Sequence, residues 1–177
     1  MEALEGELRA KDYRFGIVVS KFNEFVTSRL LSSTIETLKQ YGAVEDDLRV
    51  VRVPGAFEIP IIARQLAVSK HYHAVICLGA VIQGDTPHFD YICTETARGI
   101  AQISLDTQVP VIFGVLTVNT VEQALERSGS SERNRGAEAA RSAIEMASLM
   151  AHPILQPTSH GPLSSNPGEK IDPLECW

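Results

Sequence analysis

The chain has 177 residues, of which 44% are hydrophobic and 21% charged, and its formal net charge is −6. This length and composition suit one globular domain with a substantial core. The acidic balance disfavours a general nucleic-acid surface, and no stretch approaches the roughly 18 consecutive apolar residues of a membrane span. Three cysteines, Cys77, Cys93 and Cys176, form no even disulfide framework and lack the spacing of a zinc or redox motif. The N-terminus is acidic and lacks the apolar segment of a signal peptide. Together with the unpaired cysteine pattern, this predicts a cytoplasmic protein.

Four apolar runs rich in Val and Ile alternate with helical patterns along the chain. Because the runs mostly lack polar alternation, we predict four parallel strands buried on both faces of one sheet. The first helix is predicted to end at Gly42, the second carries Pro60 in its first turn, and the third covers 89–106. The apolar runs are Phe15–Ser20, Leu48–Val53, Ala74–Ile82 and 109–116.

Two capping patterns mark the last helices. Thr120 and Gln123 form a capping box before a short helix that ends near Gly129, and Asn134 is placed to cap a helix that runs to about residue 150.

Alternating strands and helices with right-handed crossovers predict a flavodoxin-like, three-layer α/β/α sandwich around a four-stranded parallel sheet. The segment 6–9 is a candidate for an added N-terminal edge strand.

The composition changes at residue 151. Residues 1–150 carry the strand and helix patterns and are predicted to form the one folded domain. Residues 151–177 are dense in Pro, Ser and Gly, a composition that buries too little apolar surface to offset the entropy of ordering. They are predicted to form a disordered tail.

The turn after the third strand is a candidate anion site. Gly79 and Gly84 have the offset that begins a P-loop, but Asp85 and Thr86 stand where Lys-Ser/Thr should be, which disfavours nucleoside triphosphates. Backbone N–H groups and the Thr86 hydroxyl can hold a single phosphate, or these residues can simply cap the next helix. His88 is either a proton-transfer group or a surface histidine.

Aromatic residues and a carboxylate follow the first two strands. Phe22 comes directly after the first, and Phe57 and Glu58 follow the second. The two rings are either core plugs or a stacking site for a planar ring, with Glu58 accepting hydroxyl or amine donors. Phe113 lies inside the fourth apolar run, and on residue type alone it is predicted to be a core residue.

Three arginines lie near the last two helices. Arg127 falls in the last turn of the short helix, where a cation complements the helix dipole without any ligand. Arg133 and Arg135 flank the start of the next helix, where the dipole disfavours cations, so an anionic ligand would explain them better.

Taken together and in this order, these motifs resemble the 6,7-dimethyl-8-ribityllumazine synthase family of riboflavin biosynthesis. The resemblance spans about residues 1–150. The matching blocks are GIVVSKFN at 16–23, VPGAFEIP at 53–60, LGAVI at 78–82, GDTPHFDY at 84–91, PVIFG at 110–114, EQA at 122–124 with Arg127, and NRGAEAARSAIEM at 134–146.

The resemblance implies a transferase with two small-molecule substrates, 5-amino-6-(D-ribitylamino)uracil and 3,4-dihydroxy-2-butanone 4-phosphate. It implies no cofactor and no metal, since the condensation has no net redox change. His88 matches the family's proton-transfer residue, and the phosphate-site positions are Asp85, Thr86 and Arg127. The positions that hold the pyrimidine ring and ribityl chain are Phe22, Ala56, Phe57, Glu58, Ala80, Val81, Ile82 and Phe113.

The resemblance also implies a homopentamer whose sites lie between neighbouring subunits. Phe113 and Arg135 then reach the site from across the interface, which replaces the core interpretation of Phe113. Decamers, 60-subunit shells and association with riboflavin synthase occur in this family; nucleic acid and membrane partners are not expected. The chain departs from the family pattern at Arg135, usually a lysine, at Gln83, often basic, and in the turn 129–134.

Two other functions remain open on the same scaffold. One is a non-catalytic carrier of flavin or lumazine, and the other is a shell-forming protein whose site is incidental. Activity separates both from the enzyme.

Overall fold

The computed structural model describes residues 3–129 and 133–156, so residues 157–177 of the predicted tail lie outside the described part. No helix among the described residues is long and apolar enough to cross a membrane. Short 3₁₀ turns lie at Glu45–Asp47, Ala56–Glu58 and Pro153–Leu155. The strands are β1 Phe15–Ser20, β2 Leu48–Val53, β3 Ala74–Ile82 and β4 Val111–Val118. The helices are α1 Glu24–Gln40, α2 Ile59–Val68, α3 His88–Thr107, α4 Val121–Arg127 and α5 Arg135–Met150.

The four strands form one parallel sheet in the order β2-β1-β3-β4. α1, α4 and α5 pack on one face of the sheet, and α2 and α3 pack on the other. This arrangement confirms the predicted three-layer α/β/α sandwich. Because every strand is parallel, all four carboxyl ends meet at the same edge of the sheet, where open α/β folds bind ligands.

The core lies on both faces of the sheet, which explains the continuous apolar runs. In β1, Ile17 and Val19 pack under α1 and α5, whereas Val18 between them packs under α2. β2 differs because it is an edge strand: Arg49 and Val50 are exposed. β4 is the other edge strand, and its Phe113 is exposed as well. The prediction that all four strands are buried on both faces is therefore wrong for β2 and β4.

The fourth strand begins two residues later than predicted. Val109 and Val111 are both buried, but the Ser104 hydroxyl donates to the Val109 carbonyl at 3.1 Å and accepts from Val111 N–H at 3.0 Å. These bonds make 109–110 part of the turn that leaves α3. Both residues are buried in this turn, and the Pro110 carbonyl accepts from Val75 N–H of β3 at 2.8 Å, so contact with the sheet begins one residue before β4.

The N-terminal segment does not form the predicted edge strand. Residues 6–9 run along α5, where Glu7 N–H donates to the Ser148 hydroxyl at 3.1 Å. A Cβ on Gly6 would lie 2.2 Å from the Glu145 carbonyl oxygen, so glycine permits the backbone to approach the helix this closely. The segment therefore belongs to the helical layer and not to the sheet.

The predicted helix ends are confirmed. Gly42 follows α1 with a φ of 104°, and Pro60 occupies the first turn of α2. Thr120 accepts from Gln123 N–H at 3.3 Å at the start of α4. Asn134 accepts from two backbone N–H groups of α5 at 2.8 and 3.2 Å.

Candidate functional site

A cavity of about 820 Å³ opens at the carboxyl ends of β1, β2 and β3, beside the start of α3. We call it the strand-end cavity. Most of the site residues suggested by the sequence line it, although they come from four separate parts of the chain. They are Phe22, Ala56, Phe57, Glu58, Ala80, Val81, Ile82, Thr86 and His88.

Two phenylalanine rings flank the cavity with most of their surface exposed. Phe22 is 69% exposed and Phe57 is 55% exposed. Lys21 N–H donates to the Val53 carbonyl at 2.8 Å, and Phe22 N–H donates to the Pro54 carbonyl at 3.0 Å. The β1–β2 pairing thus continues past both strands and fixes the backbone of Phe22.

Asn23 connects Phe22 to the third strand, a contact that the sequence motifs did not reveal. Its side-chain amide donates to the Ala80 carbonyl at 2.9 Å, and its backbone is left-handed with a φ of 57°. The ends of β1, β2 and β3 are therefore tied together at the cavity wall.

Glu58 is held by the 3₁₀ turn that follows β2. Gly55 N–H donates to its Oε2 at 2.9 Å, and the carboxylate is half-buried. This bond keeps one carboxylate oxygen on the turn, so Oε1 is the atom placed to accept hydrogen bonds from a ligand in the cavity.

The turn between β3 and α3 forms the polar end of the cavity. Gln83 N–H donates to the Val118 carbonyl at 2.9 Å, which anchors the start of the turn to β4. Thr86 and His88 are exposed and line the cavity, and His88 is the first residue of α3. Asp85 is exposed but does not line it. The N-terminus of this 20-residue helix favours an anion here.

The first turns of α3 add cavity residues that the sequence motifs did not indicate. Phe89, Tyr91 and Ile92 line the cavity together with His88. Tyr91 and Ile92 lie three and four residues after His88, which places all three on one face of a helix. That spacing was the available signal. Gly55 and Gly84 complete the lining.

A second cavity of about 410 Å³ lies along β4 and contains three of the four remaining site residues suggested by the sequence; the fourth, Asp85, lines neither cavity. We call it the edge cavity. Phe113, Arg127 and Arg135 line it. Phe113 is 39% exposed, so the core interpretation from residue type alone is wrong. β4 is an edge strand, so no further strand of this chain lies beside Phe113 on its outer side.

Two of the arginines near α5 have carboxylate neighbours. Arg135 Nη1 lies 2.6 Å from Glu138 Oε2, and Arg133 Nη1 lies 3.8 Å from Glu126 Oε1, with both of those side chains exposed. These pairs offset the cost of cations at a helix start without any bound anion. Arg133 lines neither cavity.

The described residues contain no cluster of three or more His, Cys, Asp or Glu side chains that could hold a metal ion. Cys93, on α3, is partly buried. Burial, together with the Asp90 carboxylate, raises the pKa of its thiol. The thiol therefore stays protonated near neutral pH and is a poor nucleophile.

A comparison with known protein families matches residues 12–151 to the model described as 6,7-dimethyl-8-ribityllumazine synthase. The match covers most of the chain. It includes every strand and helix of the sandwich and the residues that line both cavities.

Proposed function

The chain belongs to the 6,7-dimethyl-8-ribityllumazine synthase family, and we propose that it condenses 5-amino-6-(D-ribitylamino)uracil with 3,4-dihydroxy-2-butanone 4-phosphate. The products are 6,7-dimethyl-8-ribityllumazine, inorganic phosphate and water. One observation carries the proposal: the strand-end cavity joins exposed aromatic rings, a carboxylate and an imidazole beside a helix N-terminus.

The pyrimidine ring binds between the aromatic side chains and the end of β3. Phe22 and Phe57 offer exposed faces for stacking on a planar ring. Ala56, Ala80, Val81 and Ile82 line the cavity around it and offer backbone groups to the ring edge. Glu58 Oε1 accepts hydrogen bonds from the ribityl hydroxyls, because its other oxygen is held by Gly55 N–H.

The phosphate of the second substrate binds at the turn before α3. The Thr86 hydroxyl and the backbone N–H groups of Gly84 and Asp85 act as donors, supported by the helix N-terminus. Asp85 contributes through its backbone, since its carboxylate would repel the phosphate. Thr86 is the turn residue whose side chain already lines the cavity.

His88 moves protons between the two substrates. The 5-amino group attacks the ketone of the butanone, the carbinolamine loses water, and loss of a carbon-bound proton eliminates phosphate. Elimination leaves an enol, which tautomerises to a new ketone at the carbon that carried the hydroxyl group. The ribitylamino nitrogen then attacks this ketone, and a second water leaves as the ring closes. An imidazole can accept and return these protons near neutral pH, while holding both substrates in register lowers the entropic part of the barrier.

The edge cavity serves the strand-end cavity of a neighbouring copy. Within one chain, Phe113, Arg127 and Arg135 line a different cavity from His88. In a closed ring of copies, head-to-tail contacts bring two different surfaces of the subunit together at every interface. We assign Phe113 to contact with the substrate ring and Arg127 to binding of the phosphate, while Arg135 supplies a further positive charge. The ring of copies is a pentamer, either alone or as part of a decamer or a 60-subunit shell.

Mixing the purified protein with both substrates tests the proposal. We expect lumazine, measured by its absorbance, and inorganic phosphate to form in equal molar amounts without added cofactor. The control is the same mixture without protein, because the condensation also occurs spontaneously. No acceleration over that control would reject the enzyme function. Tight flavin in the purified protein with no acceleration would instead favour the carrier.

A further inference from the structure

We propose that Asn23 is a positioning residue that sets the width of the ring-binding part of the strand-end cavity. The inference rests on the proposed function, since it concerns the site for the pyrimidine ring. Asn23 acts through Phe22, its neighbour in the chain, and through Ala80 at the end of β3.

The Asn23 side chain makes one bond across the sheet. Its Nδ2 donates to the Ala80 carbonyl at 2.9 Å. A carbonyl can only accept a hydrogen bond, so chemistry requires the amide nitrogen to face Ala80. The next strand residues, Val81 and Ile82, line the cavity with Ala80.

This bond forms at the expense of one ordinary preference of asparagine. Asn23 precedes the first residue of α1, where asparagine commonly caps the helix, yet within the described part of the chain its side chain makes no capping bond. Its backbone is left-handed, with φ 57° and ψ 46°, a conformation that asparagine adopts more readily than most residues other than glycine. An asparagine that leaves its helix uncapped to bond across the sheet beside a cavity indicates a functional constraint.

The bond completes a two-sided clamp on Phe22. On the β2 side, Phe22 N–H donates to the Pro54 carbonyl at 3.0 Å. On the β3 side, Asn23 reaches Ala80. The Phe22 ring is 69% exposed, so core packing does little to hold it, and the clamp determines its distance from the β3 wall.

Replacing Asn23→Gly tests the inference, because glycine adopts the left-handed backbone without strain and removes only the amide. Steady-state kinetics should give a KM for the pyrimidine substrate raised about tenfold, as expected for one lost hydrogen bond. The KM for the butanone phosphate should stay within about twofold. Asn23→Asp should behave like Asn23→Gly, since its carboxylate offers no donor to the Ala80 carbonyl.

Gln108→Gly is the matched control. Gln108 is also left-handed, with a φ of 55°, but it ends α3 and does not line the cavity. The Gln108→Gly variant should have the kinetics of the unaltered protein. Both glycine variants should have melting temperatures within a few degrees of that of the unaltered protein. Equal changes in both KM values, or none, would overturn the inference. An unaltered protein without activity would instead reject the proposed function.

Discussion

Phe22 and Phe57 keep 69% and 55% of their surface exposed, although burying a phenylalanine side chain contributes roughly 1.5–3 kcal/mol to stability. Both rings lie at the mouth of one cavity. Phe113 is also exposed, and it lines the other cavity. The isolated chain thus forgoes apolar burial at the positions where we propose that a planar ring binds.

His88→Ala should lower kcat about 100-fold, at the low end of the usual contribution of a proton-transfer group. The decrease in kcat is expected to be no larger, because the variant still binds both substrates in the orientation that the reaction needs. Steady-state kinetics with both substrates measure it. His71→Ala, at an exposed histidine outside both cavities, is the control. Unchanged kcat in His88→Ala would remove the assignment.

Arg127→Ala should raise the KM for the butanone phosphate at least about tenfold, since a hydrogen bond to a charged group contributes roughly 1.5–3 kcal/mol. The KM for the pyrimidine substrate should change much less. Arg133→Ala is the matched control, because Arg133 is exposed and lines neither cavity. If the two variants have the same kinetics, Arg127 does not bind the phosphate.

At the scale of elements, the amino ends of β1 and β3 are joined through His73. Arg14 N–H donates to His73 Nδ1 at 2.9 Å, and His73 N–H donates to the Arg14 carbonyl at 2.8 Å. Burial, followed by the Arg14 charge, lowers the pKa of His73, although the Asp47 carboxylate opposes this. The fold therefore favours the neutral imidazole.

The sign of the pH effect follows from that lowered pKa. The unfolded chain binds the proton more tightly, so stability is fully present above about pH 6.5 and declines as the pH falls through the folded pKa. His73→Asn keeps an acceptor for Arg14 N–H without a titrating ring. Its melting temperature should fall less between about pH 7.5 and about pH 5 than that of the unaltered protein. His71→Asn should keep the full decline, and equal slopes for all three proteins would contradict the prediction.

Gly136 determines how closely α1 and α5 pack. A Cβ on Gly136 would lie 2.2 Å from the Leu30 carbonyl oxygen, and Thr34 Oγ1 donates to the Gly136 carbonyl at 3.0 Å. Replacing glycine with alanine normally stabilises a helix, but Gly136→Ala should destabilise the protein by about 1–3 kcal/mol because the helices must separate. Denaturant unfolding measures this. Gly84→Ala, whose added Cβ meets nothing within 4 Å, should cause no such loss.

Sequence patterns predicted those parts of the fold that depend on local chemistry. Continuous apolar runs predicted the positions of the strands, because the core covers both faces of the sheet. Capping residues such as Asn134 predicted where helices begin. The start of β4 was misplaced because Val109 is buried without being in a strand. The contact of 6–9 with α5 and the Asn23–Ala80 bond depend on distant parts of the chain, which no local pattern records.

At the scale of the whole molecule, the residues proposed for one reaction line two cavities. The sequence did not separate them, since the family resemblance implies that Arg127 and Thr86 both bind the phosphate. The separation favours an assembly in which each site draws on two copies. We expect a pentamer of chains of 19.3 kDa, or a multiple of it, by light scattering; a monomer with full activity would contradict a shared site.

Subunit mixing tests the shared site directly. In a ring that mixes His88→Ala and Arg127→Ala chains at random in equal amounts, about one interface in four pairs an intact strand-end cavity with an intact edge cavity. Measured at butanone phosphate concentrations well below the KM, where each variant alone is impaired, the co-expressed mixture should therefore have about a quarter of the activity of the unaltered protein. His88→Ala mixed with Phe57→Ala is the control, because both changes lie in the strand-end cavity and no pairing of copies repairs it. Absence of restoration in the first mixture would mean that each chain supplies both His88 and Arg127 to its own site.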